Sequence, residues 1–114
     1  MVINKIHSKW RIVEMEQWDS EYIDEEEPGY IEFDQGQNTG ALHFGLLFAE
    51  LDYRVHISND AQIIEFTFAG YSEDDYLSGR GKSEVRDNIF IGNIYFHFGD
   101  ESSFRCEFFD LDNT

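Results

Sequence analysis

Six carboxylates crowd the stretch DSEYIDEEEPG, residues 19–29, with no basic residue among them. Clusters of this kind either coordinate hard cations or steer basic proteins by their field. A calcium loop needs ligands at alternating positions, a glycine at its sharp turn and a closing bidentate glutamate. Counted from Asp24, Glu26 and Gly29 fall in place, but Pro28 takes a ligand position and Gln35 stands where the glutamate should close. Counted from Asp34, Thr39 occupies the glycine position. The metal reading fails on both counts, and neither metal nor cofactor is expected. What remains is a protein-facing patch of Asp24, Glu25, Glu26 and Glu27 that imitates a phosphate backbone toward a basic partner. Its plain competitor is a solvated loop held open by its own repulsion.

His97 offers a second chemistry. It lies in NIYFHFGD with Tyr95 two residues before it and Asp100 just beyond. An imidazole oriented by a carboxylate is a general base, so His97, Tyr95 and Asp100 form the one reactive constellation worth carrying. The competing reading is a histidine that satisfies a hydrogen bond in a strand wall. Nothing nearby singles out a nucleophile. His7, His43, His56 and His97 include no pair at the helical spacing of a zinc protease, and Cys106 has no cysteine partner.

YLSGRGKS ends in Gly-Lys-Ser, but a phosphate-binding loop needs glycine where Tyr76 stands, and a dinucleotide fingerprint needs it where Glu84 stands. Strand patterning, not a helix, follows. Gly79 and Gly81 therefore read as packing and curvature.

These residues need elements to hold them, and the pattern supplies strands. In LDYRVHIS, Leu51, Tyr53, Val55 and Ile57 share one face while Asp52, Arg54, His56 and Ser58 share the other. Further strands are expected at Lys9–Glu16, Tyr30–Asp34, Gly40–Glu50, Gln62–Ala69, Ser78–Val85, Asn88–Phe98 and Ser102–Phe109. DQGQNTG, SND, RDN and GDES carry turn chemistry between them. Pro28 ends a helical turn expected within Gln17–Asp24. Short connections make neighbouring strands antiparallel, and eight strands in one domain spanning 1–114 suit a small closed meander barrel. A two-sheet sandwich is the alternative. The small face of Gly79, Gly81, Ser83 and Val85 should meet the large face of Phe90, Ile94, Phe96 and Phe98. Cys106 alternates with Phe104 and Phe108, which predicts a buried, inert thiol.

Composition narrows function further. The chain of 114 residues carries 24 acids against eight Lys and Arg, a net charge of −16. From Ile12 to Tyr53 there is no Lys or Arg and there are twelve acids. Such a field repels nucleic acid and anionic membrane surfaces. A lone cysteine and no apolar leader point to the cytoplasm.

KWRIVEME, together with Arg105 in the last strand, resembles the Trp and Arg that close one end of lipocalin-like (calycin) barrels. The family's glycine two residues before Trp10 is Ser8 here. That likeness implies a Trp10–Arg105 stack sealing the barrel. KWRIVEMEQWD, PGYIEFD, LDYRV, SGRGKSEV and GNIYFHFGDESSF resemble a family of short bacterial proteins with no activity attached. This implies a bacterial or phage origin and supplies no catalytic residue. The expected function is a non-catalytic binding module, taking a basic protein on its acidic face or a small molecule in the barrel mouth. An acidic inhibitor or immunity-type protein that blocks a basic toxin or nucleic-acid enzyme is the first alternative. A small enzyme centred on His97 is the second.

Overall fold

The computed structural model describes residues 9–34 and 37–108. His7, Ser8, Phe109 and the Gln35–Gly36 step of the expected turn lie outside them. The described residues form β1 (Lys9–Met15), a one-turn helix α1 (Ser20–Ile23), β2 (Tyr30–Phe33), β3 (Thr39–Phe44), β4 (Leu47–Ser58), β5 (Ala61–Ser72), β6 (Asp75–Arg86), β7 (Ile89–Phe96) and β8 (Glu101–Phe108). Each strand pairs antiparallel with the next, and β1 closes on β8, so the sheet is a closed barrel in sequence order. Closure gives every described strand a partner on both sides, although the end of β4, residues 54–58, has register partners on β5 alone. A register shift between Ile12 and Glu14 bends β1 where it meets β8.

Two expected boundaries move. Gly40–Glu50 is not one strand, because β3 and β4 turn over at Gly45–Leu46 and pair Phe44 with Leu47. Gly45 adopts a φ of +59°, which glycine takes at no steric cost, and Glu50–Leu51 has no such residue to break the alternation. The expected strands Gln62–Ala69 and Ser78–Val85 leave the acids of YSEDDY between them, yet β5 and β6 stay paired through Tyr71–Tyr76 and Ser72–Asp75. Repulsion between solvated carboxylates is too weak to unzip a ladder whose aromatic pair also packs.

Rings fill the interior. Phe90 is a hub, with Trp10 at 5.3 Å, Phe33 at 5.8 Å and Phe104 at 5.6 Å between centroids. Tyr53 meets Phe33 edge-on at 4.8 Å. The small face of β6 works as expected: a Cβ on Gly81 would enter the Phe66 ring, and one on Gly79 would meet Phe68 and the Tyr95 carbonyl. Gly79 and Gly81 lie opposite Phe96 and Ile94 on the following strand. Phe98 does not join that face, since β7 ends at Phe96. Helix α1 plugs one end: Ile23 is buried, Tyr22 covers Gly45, and Trp18 packs on Phe44 at 5.0 Å and Phe96 at 6.0 Å. Among the described residues, no helix is long and apolar enough to cross a membrane.

Candidate functional site

The acidic segment is built firmly against the barrel wall. Asp19 caps α1, its side chain accepting the Tyr22 N–H at 2.9 Å. Asp24 then works with both oxygens. Oδ2 accepts from the Arg11 guanidinium at 2.8 Å, and Oδ1 accepts the Gly29 N–H at 2.9 Å. The Gly29 carbonyl in turn accepts the Ile12 N–H at 2.9 Å. Of the four patch residues, Asp24 is thus a structural anchor with its own cation. Glu25 and Glu26 are exposed and enter no ion pair among the described residues. The segment between two fixed ends therefore presents unneutralised carboxylates with little loop freedom left to lose on binding.

Glu27 leads to a histidine that sequence reasoning passed over. His43 is fully buried on the outer side of β3, beneath Phe48, whose ring stacks on it at 3.9 Å and 18°. Its Nδ1 donates to the Leu47 carbonyl at 2.8 Å, which leaves Nε2 without a hydrogen-bond partner among the described residues and 4.0 Å from Glu27 Oε2. Tyr30 tilts against the same imidazole at 5.6 Å, and the Lys9 ammonium sits 4.2 Å above the Tyr30 ring. Burial, then Glu27 and Glu32, push the Tyr30 hydroxyl pKa up, so this phenol stays neutral.

The register carries this cluster further. Tyr30 pairs with His43, His43 with Phe48, Phe48 with Tyr71, and Tyr71 with Tyr76. One row of rings thus crosses the outer wall from β2 to β6. The signal was in the phase of the sequence: Phe48 shares its face with Glu50, Asp52 and Arg54, an apolar residue out of step with its strand.

His97, Tyr95 and Asp100 do not assemble. Tyr95 projects outward with the Arg80 guanidinium 5.6 Å from its ring. His97 has left the strand alternation, its N–H donating to the Ser78 carbonyl at 2.7 Å and its ring resting on Phe98 at 4.1 Å. No ion pair or side-chain hydrogen bond joins His97 to Asp100 among the described residues. Trp10 and Arg105 are likewise apart. Trp10 is inside, edge-on to Phe90 and Phe108, whereas Arg105 projects outside to Glu14 and Glu107, both at 3.2 Å. The lipocalin-type stack does not form, because alternation puts the two on opposite faces of the wall. Among the described residues no three His, Cys, Asp or Glu side chains gather to hold a metal.

Two of the surface depressions bear on ligand binding. A cleft of about 230 Å³ beside the helical plug is lined by Trp18, Tyr22, Phe44, Leu47, Leu77 and Phe96. At its lip Phe98 is 98% exposed with a φ of +59°. A shallow depression of about 800 Å³ over β6, β7 and β8 mixes Lys82 and Arg105 with Glu14 and Glu84, so it has no single sign to present. No family model, curated protein or solved structure matches the chain.

Proposed function

We propose that this chain is a non-catalytic binding module, cytoplasmic and of bacterial origin, that offers its acidic face to a basic protein. A more specific form of the reading is an inhibitor or immunity-type protein that occupies the cationic site of a toxin or nucleic-acid enzyme. The observation that carries it is the anchored acidic segment: Asp24 is spent on Arg11 and Gly29, while Glu25 and Glu26 stand exposed and without ion-pair partners among the described residues. The packed ring cluster around Phe90 moves weight away from a ligand held inside the barrel. Preordered carboxylates raise association rates with cationic partners, and salt weakens that steering. The test is parallel capture on the immobilised chain and on its Glu25→Lys/Glu26→Lys/Glu27→Lys variant. Basic proteins should be held by the first, released at high salt, and missing from the second. Equal retention by both would remove the acidic face from the reaction.

A second reading follows from Phe98. An exposed aromatic in left-handed backbone beside an apolar cleft is a costly arrangement that suits contact with a small apolar ligand. Native mass spectrometry of the chain purified from its host would then retain a small molecule that Phe98→Asn loses; a bare mass for both proteins ends this reading.

A further inference from the structure

The acidic face has a candidate contact core of its own. We propose that the aromatic row Tyr30–His43–Phe48–Tyr71–Tyr76 is a docking strip for an arginine-rich segment of a partner protein, laid across the strands. This rests on the acidic-face reading and deepens it by naming the surface and the side-chain chemistry of the occupant.

Three features converge. The first is continuity, because the five residues are successive register partners. Four inter-strand steps at about 4.8 Å give a strip roughly 19 Å long, which about six residues of extended chain would span. The second is exposure. Phe48, Tyr71 and Tyr76 are 49%, 57% and 61% exposed, and Tyr71 meets Tyr76 edge-on at 5.5 Å, so adjacent ring surfaces face solvent together.

The third is charge, and it selects the occupant. Glu27 stands at the His43 end, Glu73 and Asp74 form the turn between Tyr71 and Tyr76, and Asp75 opens β6 beside them. Exposed Glu50 follows Phe48 by two residues on the same outer face. Ring faces and carboxylates share one preferred ligand, a weakly hydrated planar cation, and guanidinium stacks on the one while donating to the other. A neutral apolar partner would leave the carboxylates desolvated and unpaired; an acidic one would be repelled. The barrel already uses this pairing, with Lys9 over Tyr30 and Arg80 over Tyr95. At the buried end, Glu27 is half-exposed and its Oε2 lies 4.0 Å from His43 Nε2. A guanidinium fork laid over Phe48 would supply N–H groups to that carboxylate.

The experiment uses fluorescently labelled octa-arginine and octa-lysine as probes, with the described chain, a ring variant and a charge variant. The ring variant is Tyr71→Leu/Tyr76→Leu, which keeps apolar strand residues but removes both π faces; Tyr71→Ser/Tyr76→Ser is the second form should the first aggregate. The charge variant is Glu25→Lys/Glu26→Lys. Octa-arginine should bind the unaltered chain more tightly than octa-lysine, and the ring variant should lose about tenfold in affinity for octa-arginine while its salt dependence stays the same. The charge variant should instead flatten the salt dependence. If the ring variant binds octa-arginine as well as the unaltered chain and only the charge variant weakens, the strip is overturned and the acidic-face reading stands. If neither variant changes binding, or the unaltered chain binds neither peptide, both fall together.

Discussion

Cys106 shows how much a single side chain's setting decides. It is fully buried on the inner face of β8, where burial pushes its thiol pKa well above the ordinary value, and the Arg105 charge opposes this only weakly. Thiolate is the reactive form, so Cys106 is chemically silent in the folded chain. The same shift links stability to pH. Below about pH 8.5 the thiol is protonated whether the chain is folded or not, and the group contributes no dependence. Above that value the unfolded chain releases the proton and the native one keeps it. Stability should then fall as pH rises, by up to about 1.4 kcal/mol per pH unit, until the folded thiol itself ionises. The Tyr30 and Tyr53 hydroxyls, also raised by burial, add their own loss only above about pH 10. Urea unfolding at pH 8.0 and 9.5 should show this decline in the unaltered chain and lose it in Cys106→Ala. An identical pH profile in both proteins would mean that the thiol is solvated after all.

Strands carry the next level, and here the sequence was readable where one face meets the core. Leu51 and Tyr53 point inward as their alternation requires, and the small face of β6 lies against large neighbours. Legibility fails where side chains do not report the bend. The β3–β4 turn rests on one glycine inside an apolar run, and the tip of the β5–β6 hairpin lies among acids outside both expected strands. The ring row was illegible for a related reason: its successive members are 5 to 23 positions apart and meet only once register is known. The Trp10–Arg105 pair failed because a family likeness in residue type says nothing about which face each occupies. The packing of β6 yields a sharp expectation. Gly81→Val would drive branched carbons into the Phe66 ring, which is buried among neighbours and has no free side to move into. Overpacking of this kind costs about 1–3 kcal/mol. Gly81→Val together with Phe66→Leu should recover part of that loss in thermal unfolding, because the second change vacates the space the first one needs. Strictly additive destabilisation would mean that the glycine is there for backbone curvature instead.

At the scale of the whole molecule, the charge imbalance works against the fold it decorates. Among the described residues, four arginine contacts offset it: Arg11 with Asp24, Arg86 with Glu84, and Arg105 with Glu14 and Glu107. A net charge of −16 on a 114-residue chain leaves most carboxylates repelling one another across the surface. Glu25 and Glu26 make the case cleanly, since among the described residues neither side chain holds a hydrogen bond or ion pair whose loss would confuse the outcome. Glu25→Lys/Glu26→Lys should therefore raise Tm at low ionic strength by roughly 2–5 °C, and the gain should shrink as sodium chloride approaches about 0.5 M. The unaltered chain should itself melt higher in salt, for the same reason. Partner binding must move in the opposite direction, because the charges that destabilise the free barrel are those that attract a cationic surface. A variant that is both more stable and weaker in binding separates a working surface from a merely solvated one. A Tm indifferent to salt and to reversal would show that these carboxylates store no repulsion, and the physical case for an acidic binding face would lose its driving force.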